Sequence, residues 1–379
     1  MEGHSAMTDL LYSDVEDALR ASVRSLLTDR SPASLVLKRV ETPDAYDTEL
    51  WHALASDLGV AGLLIPESLG GAGAGAREAA VVLEELGRAV APVPYLGSAV
   101  VATTALLHCG DTELLRALAS GTRTAALVIP FTTPSSSELS RSARSRHVTV
   151  DGPTGTTITG NVTSVADALP ADVLLVPTAD GLFAVDARAD GVFVTPVVSL
   201  DLTRQLADIT FDGAVGRRIA TGAAATDAVR AALLAGAALL ASEQVGIASW
   251  CVDTTVDYFK TRYQFGRLIG SYQALKHRVA DMWVDLAQAR AVARYAADCL
   301  ATGSDDTSVA AAVAQAFVGP ATVRIAEECL QLHGGIGFTW EHPIHLYLKR
   351  AKSDSLAYGT AAIHRAALAN LVDLPSPAA

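Results

Sequence analysis

Apolar positions recur every three to four residues at both ends of the chain and in short β-branched runs through its middle. Near the start, Val15, Leu19, Val23 and Leu26–Leu27 keep a helical spacing. Arg77 to Val90 (REAAVVLEELGRAV) keeps it again until the prolines of APVPY halt it. Between these helices lies LLIPESLGGAGAG, where Pro66, Gly70, Gly71 and Gly73 predict an irregular loop. It has neither GxGxxG spacing nor a following Lys-Ser/Thr, so it reads as a structural loop and not as a phosphate cradle.

From about Thr124 the texture changes. TAALVIPF, HVTV, TTITGNV, DVLLVPT, GLFAVDA, VFVTPVV and DITFDG are separated by Gly, Pro, Asp and Asn. That spacing predicts a small β-barrel or sandwich of about a hundred residues. One segment within it, Thr132 to Arg146, is polar and rich in Ser and Arg, and reads as a solvated loop. After Thr221 the helical period returns. Ala231 to Lys260 predicts one long helix, and Ser271 is a good N-cap for the next. In that helix Leu275, Val279, Met282, Leu286, Ala289, Ala293, Ala296 and Leu300 form a continuous seam. A third helix is predicted from Asp306 to His333, kinked at Pro320 and ended by Gly334–Gly335, and a last one begins near Gly359. The expected fold is α+β and multi-domain. A helical N-terminal domain (7–123) precedes a central small β-barrel or sandwich (124–223) and a C-terminal four-helix bundle (224–379). Residues 1–6 read as an expression remnant ahead of a start at Met7.

Composition narrows the function. A net charge of −12 over 379 residues argues against nucleic acid as a partner. The longest apolar run, Ala231 to Ala241, is well short of the roughly 20 residues that cross a bilayer, so no membrane span is expected. Nothing in the opening residues reads as a signal peptide. Cys109, Cys251, Cys299 and Cys329 are scattered, with no histidines at metal-binding spacing. Free thiols in a reducing, cytoplasmic setting are the expectation, and no metal site.

The chemistry concentrates in RYQFGRLIGSYQALKHR, residues 262 to 278, which places four basic residues among aromatics and amides in an acidic chain. Arg262 offers a planar fork that grips a pyrophosphate. Gln264, Gln273 and Gln331 offer amides for ribose or adenine, and Gly334–Gly335 allow a ligand close to the backbone. Together they describe an adenine-dinucleotide site without a Rossmann fingerprint.

RYQFGRLIGSYQALKHR followed by QLHGGIGFTWEHPIHLYLKRAK resembles the C-terminal half of the acyl-CoA dehydrogenase family. LLIPESLGGAG and LEELGRAVAPVPYLGSAV are similar to its N-terminal domain, and LDLTRQLADITFDG to the end of its β domain. The resemblance implies FAD at a subunit interface. Arg262, Tyr263, Gln264, Phe265, Tyr272 and Gln273 would face it, and Gln331, Leu332, His333, Gly334 and Gly335 would meet the adenine end across the dimer. It implies that a carboxylate removes the α-proton of an acyl-CoA while the β-hydrogen leaves as hydride to the flavin. Electron-transferring flavoprotein, or a similar acceptor, would then take the electrons.

The chain departs from that pattern in two places. The position where the best-known relatives carry the catalytic glutamate is Tyr358, and the position on the first long helix where some relatives carry it is Gly236. Glu243, further along that helix, is either a glutamate hydrogen-bonded within the bundle or a displaced base. The threonine- and glycine-containing loop that meets the flavin ring in relatives has no counterpart in VIPFTTPSSSELSRSARSR. Both departures imply a branch of the family in which unlike subunits assemble, the homologous partner supplying the glutamate. Bacterial members of that branch act on bulky thioesters, including those of steroid side-chain degradation. A homo-oligomeric enzyme using Glu243, and a scaffold subunit without flavin, are the competing readings.

Overall fold

Ser13 opens the first helix with a reciprocal cap. Its hydroxyl accepts from the Glu16 amide, and the Glu16 carboxylate accepts from the Ser13 amide at 2.7 Å. The computed structural model describes residues 10–44, 46–135, 148–151 and 156–375, so the suggested remnant at 1–6 and most of the Ser/Arg-rich segment lie outside it. The N-terminal domain holds α1 (Asp14–Arg30), α2 (Ala33–Arg39), α3 (Thr48–His52), α4 (Ala76–Arg88), α5 (Thr103–Cys109) and α6 (Thr112–Ala119). Its core gathers Leu54, Ile65, Leu83, Leu96 and Leu106, none more than 1% exposed. The LLIPESLGG loop packs back on that core as a connector.

The β domain has two four-stranded sheets, ordered β1-β4-β5-β8 and β2-β3-β7-β6. Their strands are β1 (Ala125–Leu127), β2 (Val148–Asp151), β3 (Thr157–Ala166), β4 (Val173–Thr178), β5 (Gly181–Asp186), β6 (Val192–Val197), β7 (Leu206–Val215) and β8 (Arg217–Ala220). β1 pairs with β4 in parallel, and the other pairs are antiparallel. Ile158, Phe183, Ile209 and Phe211 fill the space between the sheets.

The C-terminal bundle is built on α7 (Gly222–Thr261), α8 (Gln273–Thr302) and α9 (Thr307–His333), joined by α10 (Ile344–Asp354) and α11 (Ala361–Leu371). Three sequence expectations change here. The first long helix starts at Gly222, ahead of Ala231, because the intervening alanines are strong helix formers. Ser271 is not the cap of α8. Its hydroxyl donates to the Leu268 carbonyl inside a short 3₁₀ turn, and Tyr272 takes the capping position without a side-chain bond. The last helix starts at Ala361, in keeping with the expected start near Gly359, and Thr360 caps it through the Ile363 amide, but α10 is an additional helix ahead of it that the sequence did not announce. The α8 seam buries Met282, Leu286, Ala289, Ala293 and Ala296, with Leu275, Val279 and Leu300 half-buried.

Helices α4 and α7 cross at glycine contacts. Gly87 faces the Glu243 carbonyl and Gly246 faces the Glu84 carbonyl, each too close for a Cβ. The N-terminal domain is thereby seated on the bundle. Helices α7 and α9 are long and apolar enough to cross a membrane by length and composition. Their apolar windows are 89% and 67% buried within the protein, which is how bundle cores read.

Candidate functional site

Two turns meet at one end of the bundle. The first follows α7, where β9 (Tyr263–Gln264) pairs antiparallel with β10 (Arg267–Leu268). Phe265 and Gly266 form its tip with φ of 53° and 79°, the left-handed pair that a two-residue I′ hairpin needs. The Ile269 amide donates to the Arg262 carbonyl at 2.9 Å, and the Tyr272 hydroxyl donates to the Gln264 carbonyl at 3.3 Å. The Arg267 guanidinium lies 3.8 Å from the centre of the Tyr272 ring. These contacts fix the hairpin while Arg262, Tyr263, Gln264, Phe265 and Gln273 stay exposed.

The second turn closes α9. Gln331, Gly334 and Gly335 face solvent, and a Cβ built on either glycine would meet nothing within 4 Å. The side chains of Leu332 and His333 both turn into the bundle. The His333 Nδ1 lies 2.7 Å from the Cys329 carbonyl, and the ring stacks on Tyr258 at 4.5 Å. Any contact these two make with a ligand runs through their backbone. Tyr258 belongs to the last turn of α7, so the stack joins the two turns. The open surface they share offers a guanidinium, amides and bare backbone, the donor set that the adenine and pyrophosphate end of FAD requires.

The second region lies inside the protein. Glu243 is 1% exposed, and both its oxygens accept from Arg204 Nη2, at 2.9 and 2.6 Å. Arg350 Nη1 donates to Oε1 at 2.6 Å. Arg204 also reaches Asp354 at 2.8 Å, and Arg350 reaches Asp201 at 2.6 Å and the Thr203 hydroxyl. Three elements therefore meet on one cluster: the loop before β7, helix α7 and helix α10. Burial alone would raise the Glu243 carboxyl, but the two guanidiniums hold it below its ordinary value. Asp354 goes the other way, pushed well up by burial and by the neighbouring Glu243 charge. Asp201, Arg204, Arg350 and Asp354 were not singled out in the sequence. They sit within LDLTRQ and LKRAKSD, where an arginine three residues from an aspartate, or four before one, is the available signal.

Tyr358 and Gly236, the two positions where relatives keep a catalytic carboxylate, lie beside that cluster and against each other. A Cβ on Gly236 would stand 2.9 Å from Cζ of the Tyr358 ring. Tyr358 is 5% exposed, with its ring edge-on to Phe131 at 5.6 Å.

A helical domain, a two-sheet β domain and a bundle with two exposed turns at one end make up the architecture, and comparisons with known proteins give the family. The family descriptions "Acyl-CoA dehydrogenase, N-terminal domain" and "Acyl-CoA dehydrogenase, C-terminal domain" match residues 13–122 and 214–372. Acyl-CoA dehydrogenase IpdE2 of Mycolicibacterium smegmatis is 37% identical over 347 residues, covering 92% of this chain and 95% of that protein. The ChsE4–ChsE5 complex from Mycobacterium tuberculosis is similar with a TM-score of 0.86 and 28% identity, over 98% of this chain and 100% of that one. A Tcur3481–Tcur3483 steroid ACAD variant aligns with a TM-score of 0.83 and 28% identity, over 95% and 98%. The chain belongs to the acyl-CoA dehydrogenase family. It is a flavin-dependent oxidoreductase whose cofactor is FAD.

Proposed function

We propose that this chain is the cofactor-holding, base-free member of a cytoplasmic acyl-CoA dehydrogenase made of unlike subunits. The homologous partner supplies the carboxylate that takes the α-proton of the thioester. The observation that carries the reading is the state of the three candidate base positions. Gly236 has no side chain, Tyr358 is a buried phenol pushed above its usual value, and the Glu243 carboxylate is spent on two guanidiniums. A carboxylate held below its ordinary pKa by two guanidiniums is a weak base for a thioester α-proton. Glu243 therefore serves as the structural anion of the cluster and not as a displaced base.

Bound FAD supplies the acceptor for the β-hydrogen. Arg262 holds its pyrophosphate, Gln264, Gln273 and Gln331 orient the ribose and adenine, and Gly334–Gly335 let the backbone come close. Tyr263, Phe265, Phe338 and Trp340 stand exposed around the two turns, between 51% and 92%, an apolar rim that supports a subunit interface there. The names of the similar ChsE4–ChsE5 and Tcur3481–Tcur3483 complexes support unlike subunits and a bulky, steroid-derived acyl group. Electron-transferring flavoprotein or a related acceptor would take the electrons. The test is flavin bleaching by acyl-CoA substrates, a steroid-derived one included, for the purified chain and for the chain co-expressed with a homologous partner. Bleaching by the pair alone is the expected result. Full turnover by this chain alone would reject the reading.

A further inference from the structure

We infer that this subunit's own acyl cavity is closed by a plug, the Tyr358 ring seated in the space that Gly236 leaves. The chain then excludes an acyl group sterically, besides lacking the base. The inference rests on the proposed function and adds a device to it.

The two positions lie far apart in sequence, one in the middle of α7 and one between α10 and α11. They meet in space. By the family resemblance either position carries the carboxylate that meets the acyl group, so both border the point where its reacting carbon would lie. Here a six-membered ring fills that point. A Cβ on Gly236 would stand 2.9 Å from Tyr358 Cζ, 3.1 Å from Cε2 and 3.0 Å from Val101 Cγ2. Carbon atoms do not pack at those distances, so the ring and the glycine require each other.

The plug is fastened from several sides. The Tyr358 amide donates to the Phe131 carbonyl at 2.9 Å, and the Ser135 amide donates to the Tyr358 carbonyl at 3.3 Å. The His364 Nε2 stands 3.0 Å from that same carbonyl. Tyr358 holds φ at 52°, a left-handed conformation that an aromatic residue adopts only where its surroundings impose it. Phe131 meets Tyr358 edge-on, and its ring centre lies 5.7 Å from the Arg204 guanidinium. Tyr358 is thus wedged between the bundle, the β domain and the buried ion cluster. Those bonds hold its main chain, while burial against Gly236 and the edge of Phe131 holds its ring as a closure.

The experiment uses the full chain and four variants: Gly236→Ala, Tyr358→Ala, their double variant, and Tyr358→Phe. Thermal unfolding reads the packing. Gly236→Ala should lower Tm by several degrees in the parent and by much less in the Tyr358→Ala background. Calorimetry with octanoyl-CoA, using free CoA as control, reads the cavity. The parent and Tyr358→Phe should bind no octanoyl group, and Tyr358→Ala should bind one per chain. If Tyr358→Ala does not fold, Tyr358→Leu removes the same ring atoms and serves in both arms. Octanoyl-CoA binding to the parent at one per chain would overturn the plug. So would an equal cost of Gly236→Ala in both backgrounds, or a Tyr358→Ala chain that binds no octanoyl-CoA. Failure of the proposed function would instead read as a co-expressed pair without FAD or turnover, an outcome that the stability cycle does not share.

Discussion

The bundle end and the buried cluster descend from one family pattern and have been treated in opposite ways. At the bundle end Arg262, Gln264 and Gln331 remain exposed on short turns, held by backbone bonds and one cation–π contact, with their polar groups facing outward. Around Glu243 the polar groups face one another. Two guanidiniums and three carboxylates pair inside the protein, with Asp354 Oδ2 buried and left without a hydrogen-bond partner, and a phenol closes the space beside them. The first arrangement can exchange its solvent for a ligand. The second cannot without breaking ion pairs in a low-dielectric interior. Polar residues at a site therefore need not mean chemistry, and what separates the two cases is whether their polar groups face solvent or one another.

The largest effect expected follows from that difference. Glu243→Gln leaves Arg204 and Arg350 facing each other with one anion fewer. Removing one partner of a buried pair costs about 3–5 kcal/mol. Denaturant unfolding should show a loss of that size, with activity of the assembled pair falling only as far as folding does. A variant as stable as the parent that has lost turnover would make Glu243 the base and break the comparison.

Next in size is the other region. Arg262→Ala removes a charge-assisted contact to a pyrophosphate, typically about 1.5–3 kcal/mol. FAD retention should fall roughly ten- to hundredfold, and less for Gln331→Ala, whose amide is neutral. Unfolding of the apoprotein should not change, because among the described residues no ion pair engages Arg262. Flavin retained at every dilution would remove Arg262 from the site.

How much of this was legible differs by region for a physical reason. The proposed cofactor turns lie in one contiguous stretch each, so residue type and spacing expose them, although the β-hairpin at Phe265–Gly266 was not predicted. The orientation of Leu332 and His333 is not legible either, because a helix end carries no sign of which face meets Tyr258. The ion cluster joins residues 201, 204, 243, 350 and 354 from three elements, a contact that no local period encodes. The α7 start was misplaced for a related reason. An alanine run continues a helix without marking its boundary, and the predicted Ser271 cap failed because a hydroxyl that can cap can equally close a 3₁₀ turn.

Titration of the cluster gives a smaller effect with a definite sign. The folded value of Asp354 lies above its unfolded one, so the native state holds the proton more tightly. That contribution is complete below the ordinary aspartate value of about 3.9 and is lost as pH rises toward the folded value. Glu243 has the opposite sign: its contribution is present above about 4.3 and is lost as pH falls through its lowered value. Asp354→Asn keeps an acceptor for Arg204 and removes the titration. Stability should rise at neutral pH, by on the order of 1 kcal/mol, and its decline with rising pH should flatten. A steeper decline in the variant would assign the excess proton elsewhere.

The smallest effect sharpens the comparison most finely, because it asks what an exposed aromatic is for. Phe265 is 92% exposed and sits at φ 53°, so in the single chain it bears a backbone cost without burial to offset it. Glycine takes that conformation freely, although it adds entropy to the unfolded chain, and the two terms differ by about 1 kcal/mol or less. Phe265→Gly should therefore leave unfolding of the isolated chain unchanged or slightly improved. If the ring belongs to the rim that a partner covers, the same substitution should weaken FAD retention and assembly of the co-expressed pair, read by dilution on a sizing column. A hairpin that loses stability in the isolated chain would show that Phe265 packs within this subunit. A variant neutral in both measurements would leave Tyr263, Phe338 and Trp340 to carry the rim without it.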